Sequence, residues 1–122
     1  MNRDVIPTKD SDQSGRLLPV SEAVLWHGLV FVSGQTAPEV PGFEGQAKAV
    51  LKKIGVVLKA SGSDYQYVLR CGVYLADGSM RERMNAIYRD FFPERPPART
   101  TIECKLSRDT LLEVDCVAIL PS

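Results

Sequence analysis

The stretch from Pro96 to Leu120 constrains this chain most. It reads Pro-Pro-Ala-Arg-Thr-Thr-Ile-Glu-Cys-Lys-Leu, then Ser-Arg-Asp-Thr, then Leu-Leu-Glu-Val-Asp-Cys-Val-Ala-Ile-Leu. Both long runs alternate with period two, as half-buried strands do. The polar residues Ser107 to Thr110 between them suit a turn, so a hairpin is the expectation. In its first strand Thr100, Ile102, Cys104 and Leu106 share one face, and Arg99, Thr101, Glu103 and Lys105 the other. In its second, Leu112, Val114, Cys116, Ala118 and Leu120 form an apolar face, with Glu113 and Asp115 opposite. One side of the hairpin is then a core wall. The other gathers Arg99 and acidic side chains, with Arg99 and Glu113 sharing face parity.

The preceding residues supply the rest of a sheet and its cover. Ala23 to Trp26 runs into His27-Gly28, a tight-turn pair, and Leu29 to Ser33 returns. Leu29 and Phe31 face one side of that strand and Val30 and Val32 the other, a pattern that calls for cover on both sides. From Gln46 to Ala60 the period turns helical, with Ala47, Val50, Leu51, Ile54, Val57 and Leu58 on one face. Lys48, Lys52, Lys53 and Lys59 sit mostly on the other, and Gly62 suits a C-terminal cap. Gly55 costs this helix about 1 kcal/mol relative to alanine. Val68 to Ala76 reads as a strand with Leu69, Cys71, Val73 and Leu75 on its core side. A second helix runs from about Met80 to Phe92 and stops at Pro93.

This order predicts an α+β domain: a mixed β-sheet with two helices packed on one face. Residues 1–15, polar and rich in Asp and Ser, are expected to form a flexible N-terminal arm ending in a short edge strand near Arg16 to Leu18. Residues 16–122 then make a single domain. Two helices cover one side only, while Leu29, Phe31, Val117 and Ile119 make the other apolar, so the uncovered face predicts oligomerisation.

Charge and composition exclude several classes. With 15 basic and 15 acidic residues the formal net charge is zero, which leaves no overall footprint for nucleic acid or an anionic membrane. No apolar run approaches the roughly 20 residues of a membrane span. The start lacks the apolar region of a signal peptide, and a cytoplasmic location is expected. Cys71, Cys104 and Cys116 show no C-x-x-C spacing and read as small buried hydrophobes rather than metal ligands or a disulfide. His27, the only histidine, sits in a predicted turn without a nucleophile signature, and no phosphate-binding glycine loop is present.

Leu18-Pro-Val-Ser-Glu-Ala-Val24, Phe31-Val-Ser-Gly-Gln35, Met84-Asn-Ala-Ile-Tyr-Arg-Asp-Phe-Phe92, Pro97-Ala-Arg-Thr-Thr-Ile-Glu103 and Leu111-Leu-Glu-Val-Asp-Cys-Val-Ala118 follow one another in this order. Together they resemble the Rid/YjgF family of enamine/imine deaminases, across Pro19 to Leu120. The resemblance implies a chorismate-mutase-like fold assembled as a homotrimer, with clefts between subunits. It implies hydrolysis of reactive 2-imino acids, derived from enamines such as 2-aminoacrylate, to 2-oxo acids and ammonia. It implies no metal and no organic cofactor. Other members have been described as ribonucleases or translation inhibitors, and some subgroups are non-catalytic.

By the same resemblance Arg99 would hold the substrate carboxylate, a task that suits the paired donors of a guanidinium. Without it, an arginine paired with Glu103 or Asp115 on a solvated strand is the simpler account. Glu113 matches the acidic residue near the attacking water, which a carboxylate can orient and deprotonate. By pattern alone Asp115 or Glu103 is equally eligible. Thr101 stands where many members carry cysteine. Ser33 and Gly34 match a Ser-Gly pair, Asn85 matches a site-lining asparagine, and Phe92 either walls the pocket or packs in the core. Val20 is a departure, because many members have tyrosine there, and the loop from Thr36 to Gly45 is shorter than in typical members. These departures motivate an alternative, a non-catalytic trimer that binds or senses a small carboxylate. Zero net charge and the lack of a histidine acid–base pair speak against RNA cleavage.

Overall fold

The His27-Gly28 turn has positive φ at both residues, 50° and 78°, which is the two-residue hairpin geometry that matches strand twist. Strands β2 (Ser21–Trp26) and β3 (Leu29–Gln35) pair antiparallel around it, with Trp26 opposite Leu29. The computed structural model describes residues 3–122, and five of the strand and helix assignments expected above recur in it with small shifts at their ends. These are β2, β3, α1 (Phe43–Ser61), β4 (Val68–Leu75) and α2 (Arg81–Phe91). Helix α1 buries Ala47, Val50, Leu51, Ile54, Val57 and Leu58, the periodic face. It ends at Gly62, whose φ of 93° places it in the left-handed region. Gly55 has a packing reason. The Tyr65 hydroxyl donates to the Leu51 carbonyl at 2.6 Å, and a Cβ on Gly55 would collide with that phenol.

The N-terminal arm differs from expectation. Asp4–Pro7 is a strand, β1, paired antiparallel with β2, and Ser11 bridges to Leu17. Period-two alternation needs more residues than this short strand has, so local sequence carries no signal for it. For residues 1 and 2 the expectation of a flexible arm lies outside the described residues.

The predicted hairpin does not form. β5 (Ala98–Glu103) and β6 (Leu112–Ile119) are both strands, but the sheet order is β1-β2-β3-β6-β4-β5, so β4 lies between them. β5 runs parallel to β4, and β6 is antiparallel to both β3 and β4. The connection flanks the end of β4: Cys104 N donates to Leu75 O and Ala76 N to Leu111 O, each at 3.0 Å. Gln46, buried in α1, holds this loop by donating to Asp109 O and accepting from Leu111 N, both at 2.9 Å.

The topology explains the one-sided cover. β3 to β4 and β4 to β5 are parallel crossovers that move the same way across the sheet, through α1 and α2. Right-handed crossovers in one direction place both helices on one face. The core lies between that face and the helices, where Val30, Cys71, Val73, Leu75, Leu112, Val114 and Ala118 are buried. The opposite face carries Phe31 and Ile102, which are 43% and 45% exposed. Leu69, expected on the core side of β4, is exposed instead, because the register slips between Val68 and Arg70.

Candidate active site

Paired residues on neighbouring strands share a face of the sheet, so register decides which side chains meet. Arg99 on β5 is opposite Cys71, and Cys71 is opposite Cys116 on β6. Both cysteines are buried under the helices, and burial pushes both thiols up. Arg99 therefore faces α2. Glu113 is opposite Tyr74, which is also opposite Ile102, on the open face. The parity expected for Arg99 and Glu113 thus fails within one chain, and they lie on opposite faces. The apolar alternation of Thr100 and Ile102 marks the open face of an edge strand rather than a core wall.

On the helix side, residues of α2 receive the arginine. Arg99 Nη2 donates to Asn85 Oδ1 at 2.5 Å, and its guanidinium lies 4.8 Å from the centroid of the Tyr88 ring. Asn85 and Tyr88 are three residues apart on one helix, hence on one face. The Tyr88 hydroxyl is buried beside the Cys71 thiol and makes no well-formed hydrogen bond. Burial holds its pKa far above the ordinary value. A cavity of about 380 Å³ opens against Arg99, Asn85, Tyr88 and Phe92, with Pro93 and Pro97 on its wall. Phe92 is 6% exposed and packs edge-on to Tyr65, so it both walls this cavity and belongs to the core. Thr101 shares the face of Arg99, opposite Val73, and does not line the cavity.

On the open side, Ser33 and Gly34 lie at the end of β3, where the register shifts against β6. Gly34 is backed so closely by the Glu113 carboxylate that a Cβ there would collide with it. Ser33 Oγ donates to Ser21 O at 2.6 Å. Both residues line a polar cavity of about 280 Å³ that also takes in Val20 and Lys53. The three acids that sequence left equally eligible are not equivalent. Asp115 accepts from Gly72 N at 3.1 Å and from the Tyr74 hydroxyl at 3.0 Å. Glu103 accepts from Gly78 N at 2.8 Å. Among the described residues Glu113 makes no hydrogen bond or ion pair. Its pKa is raised, first by burial and then by the charge of Asp115. No group of three His, Cys, Asp or Glu side chains among the described residues is placed to hold a metal ion.

In the sequence Tyr88 stands out only as a member of the Met84 to Phe92 segment, and its spacing of three from Asn85 is the available signal. The structure thus defines a class: a small α+β domain with an arginine fixed over an aromatic ring at one sheet edge and an unpaired carboxylate on the reverse face. The family model described as Endoribonuclease L-PSP matches residues 15–120. Reactive Intermediate Deaminase A, chloroplastic, from Arabidopsis thaliana is 35% identical, over 98% of this chain and 67% of that protein. The Homo sapiens 2-iminobutanoate/2-iminopropanoate deaminase is 33% identical, over 86% of this chain and 82% of its own. A crystal structure of a YjgF-family member from Neisseria meningitidis superimposes with a TM-score of 0.82 at 29% identity, covering 100% and 98% of the two chains. The chain belongs to the Rid/YjgF family.

Proposed function

We propose that this protein hydrolyses 2-imino acids to 2-oxo acids and ammonia in clefts shared between the subunits of a homotrimer. The observation that carries the reading is the anchored Arg99, held by Asn85 and stacked on Tyr88 at an open cavity. Such a guanidinium offers two parallel donors to a carboxylate and fixes its direction. The name of the human relative supplies the substrate class, and that of the Arabidopsis relative the deamination of a reactive intermediate.

In this mechanism Arg99 binds the substrate carboxylate and presents the adjacent C=N carbon. Glu113 of another subunit holds a water and takes its proton as the oxygen adds to that carbon. The C=N π pair goes to nitrogen, which gains a proton. The proton held by Glu113 passes to the carbinolamine nitrogen. The C–N bond then breaks with its pair going to ammonia while the hydroxyl O–H pair forms the C=O, and the hydroxyl proton returns to Glu113, giving the 2-oxo acid. A raised pKa brings Glu113 closer to neutrality, where a general base works best. Ser33 and Gly34 would complete the lining. A second copy is needed because Arg99 and Glu113 face away from each other in one chain, and the exposed apolar open face supplies the reason to associate. The test generates 2-aminoacrylate in situ from serine and follows pyruvate release. Acceleration over buffer that disappears in Arg99→Ala is expected; no acceleration, or full activity in that variant, overturns the reading.

A further inference from the structure

This inference rests on the imine-hydrolysis reading and concerns which imino acids the cleft takes. Arg99 is not the only guanidinium on the 380 Å³ cavity, because Arg89 lines it too. Asn85, Tyr88, Arg89 and Phe92 follow the i, i+3, i+4, i+7 rule, so they form one wall from the end of α2. No aspartate or glutamate lines the cavity. Away from this cavity, Arg83 of the same helix pairs with Glu44, and Lys53 of α1 pairs with Glu39 at 3.0 Å. Arg89 is exposed and, among the described residues, makes no hydrogen bond or ion pair. A chain of zero net charge therefore places two arginines and no acid on one cavity.

A single carboxylate occupies Arg99 and leaves Arg89 without a counter-ion. Arg89 follows Asn85, the residue that holds Arg99, by four positions on α2, a rise of about 6 Å and the scale that separates the acid groups of a four- or five-carbon dicarboxylate. We propose that the cleft selects 2-imino acids carrying a second acid group, with Arg99 on the carboxylate beside the imine and Arg89 on the distal one. Arg89 is then a specificity-determining residue. It acts at the cavity rim, away from the reacting carbon.

The test is calorimetric binding of two stable 2-oxo acids, 2-oxoglutarate and 2-oxobutanoate, at low chloride. The wild-type protein is expected to bind 2-oxoglutarate roughly tenfold more tightly, one charge-assisted contact at a solvated rim. Arg89→Gln should erase most of that difference, and Arg89→Lys should restore part of it. Equal affinities in the wild type, no binding of either acid, or equal weakening of both by Arg89→Gln overturns the proposal. Binding needs no turnover, so this outcome is separate from pyruvate release, on which the deaminase reading itself stands.

Discussion

Mixed oligomers of Arg99→Ala and Glu113→Gln chains should recover activity that neither variant has alone. Within one chain the two residues cannot meet, since Arg99 aligns with buried Cys71 and Glu113 aligns with Tyr74 on the reverse face. A cleft between subunits is intact when one neighbour supplies Arg99 and the other supplies Glu113. In a trimer that contains both chains, whichever is in excess, one of the three clefts meets both conditions, about one third. The single variants set the baseline. Losing a charge-assisted carboxylate contact costs about 3 kcal/mol, roughly a hundredfold in kcat/KM. The mixture should therefore rise from about 1% to about 33% of wild-type activity. The chains are co-expressed with two different tags and purified on both, so every assayed particle is mixed, and pyruvate release is followed. Activity no greater than the mean of the two single variants would refute the shared-cleft geometry.

Gly55→Ala should destabilise the fold by about 1–3 kcal/mol in urea unfolding, because overpacking against the Tyr65 phenol outweighs the gain in helix propensity. Tyr88→Phe keeps the ring under Arg99 and removes a buried hydroxyl without a well-formed partner, so KM and Tm should hold or improve. Tyr88→Leu removes the ring, and the loss of about 1 kcal/mol of cation–π attraction should raise KM roughly fivefold with a smaller change in kcat. The acid limb of kcat/KM should lie above 4.5, the ordinary value for Glu113, because its folded-state pKa is raised. A limb at or below that value would remove Glu113 as the base. The same shift has a stability consequence. From its ordinary value up to its raised folded value, the folded protein holds the Glu113 proton more tightly than the unfolded chain does, so stability falls as pH rises through this window. Glu113→Gln removes that penalty and should raise Tm more at pH 7 than at pH 4.

Both helices, the strands they connect and the buried face of β6 were legible in sequence, because hydrophobic period and caps are local properties. Leu112, Val114, Cys116 and Ala118 are all buried, as alternation alone requires. By pattern alone Glu113, Asp115 and Glu103 were not separable, since which acid is left without a partner depends on the backbone and hydroxyl donors each one reaches. The pairing of strands was not legible either. Alternation says that β5 has two faces but not which neighbour it joins or which face meets a helix. Insertion of β6 between β3 and β4 settled that, and it turned Arg99 inward over Tyr88 and Ile102 outward. Sequence by itself determined the elements and offered Arg99 and Glu113 as candidates, the second only through the family resemblance. Only the tertiary structure decided that they stand on opposite faces of one sheet, because a face is a property of register between distant strands and leaves no trace within any one of them.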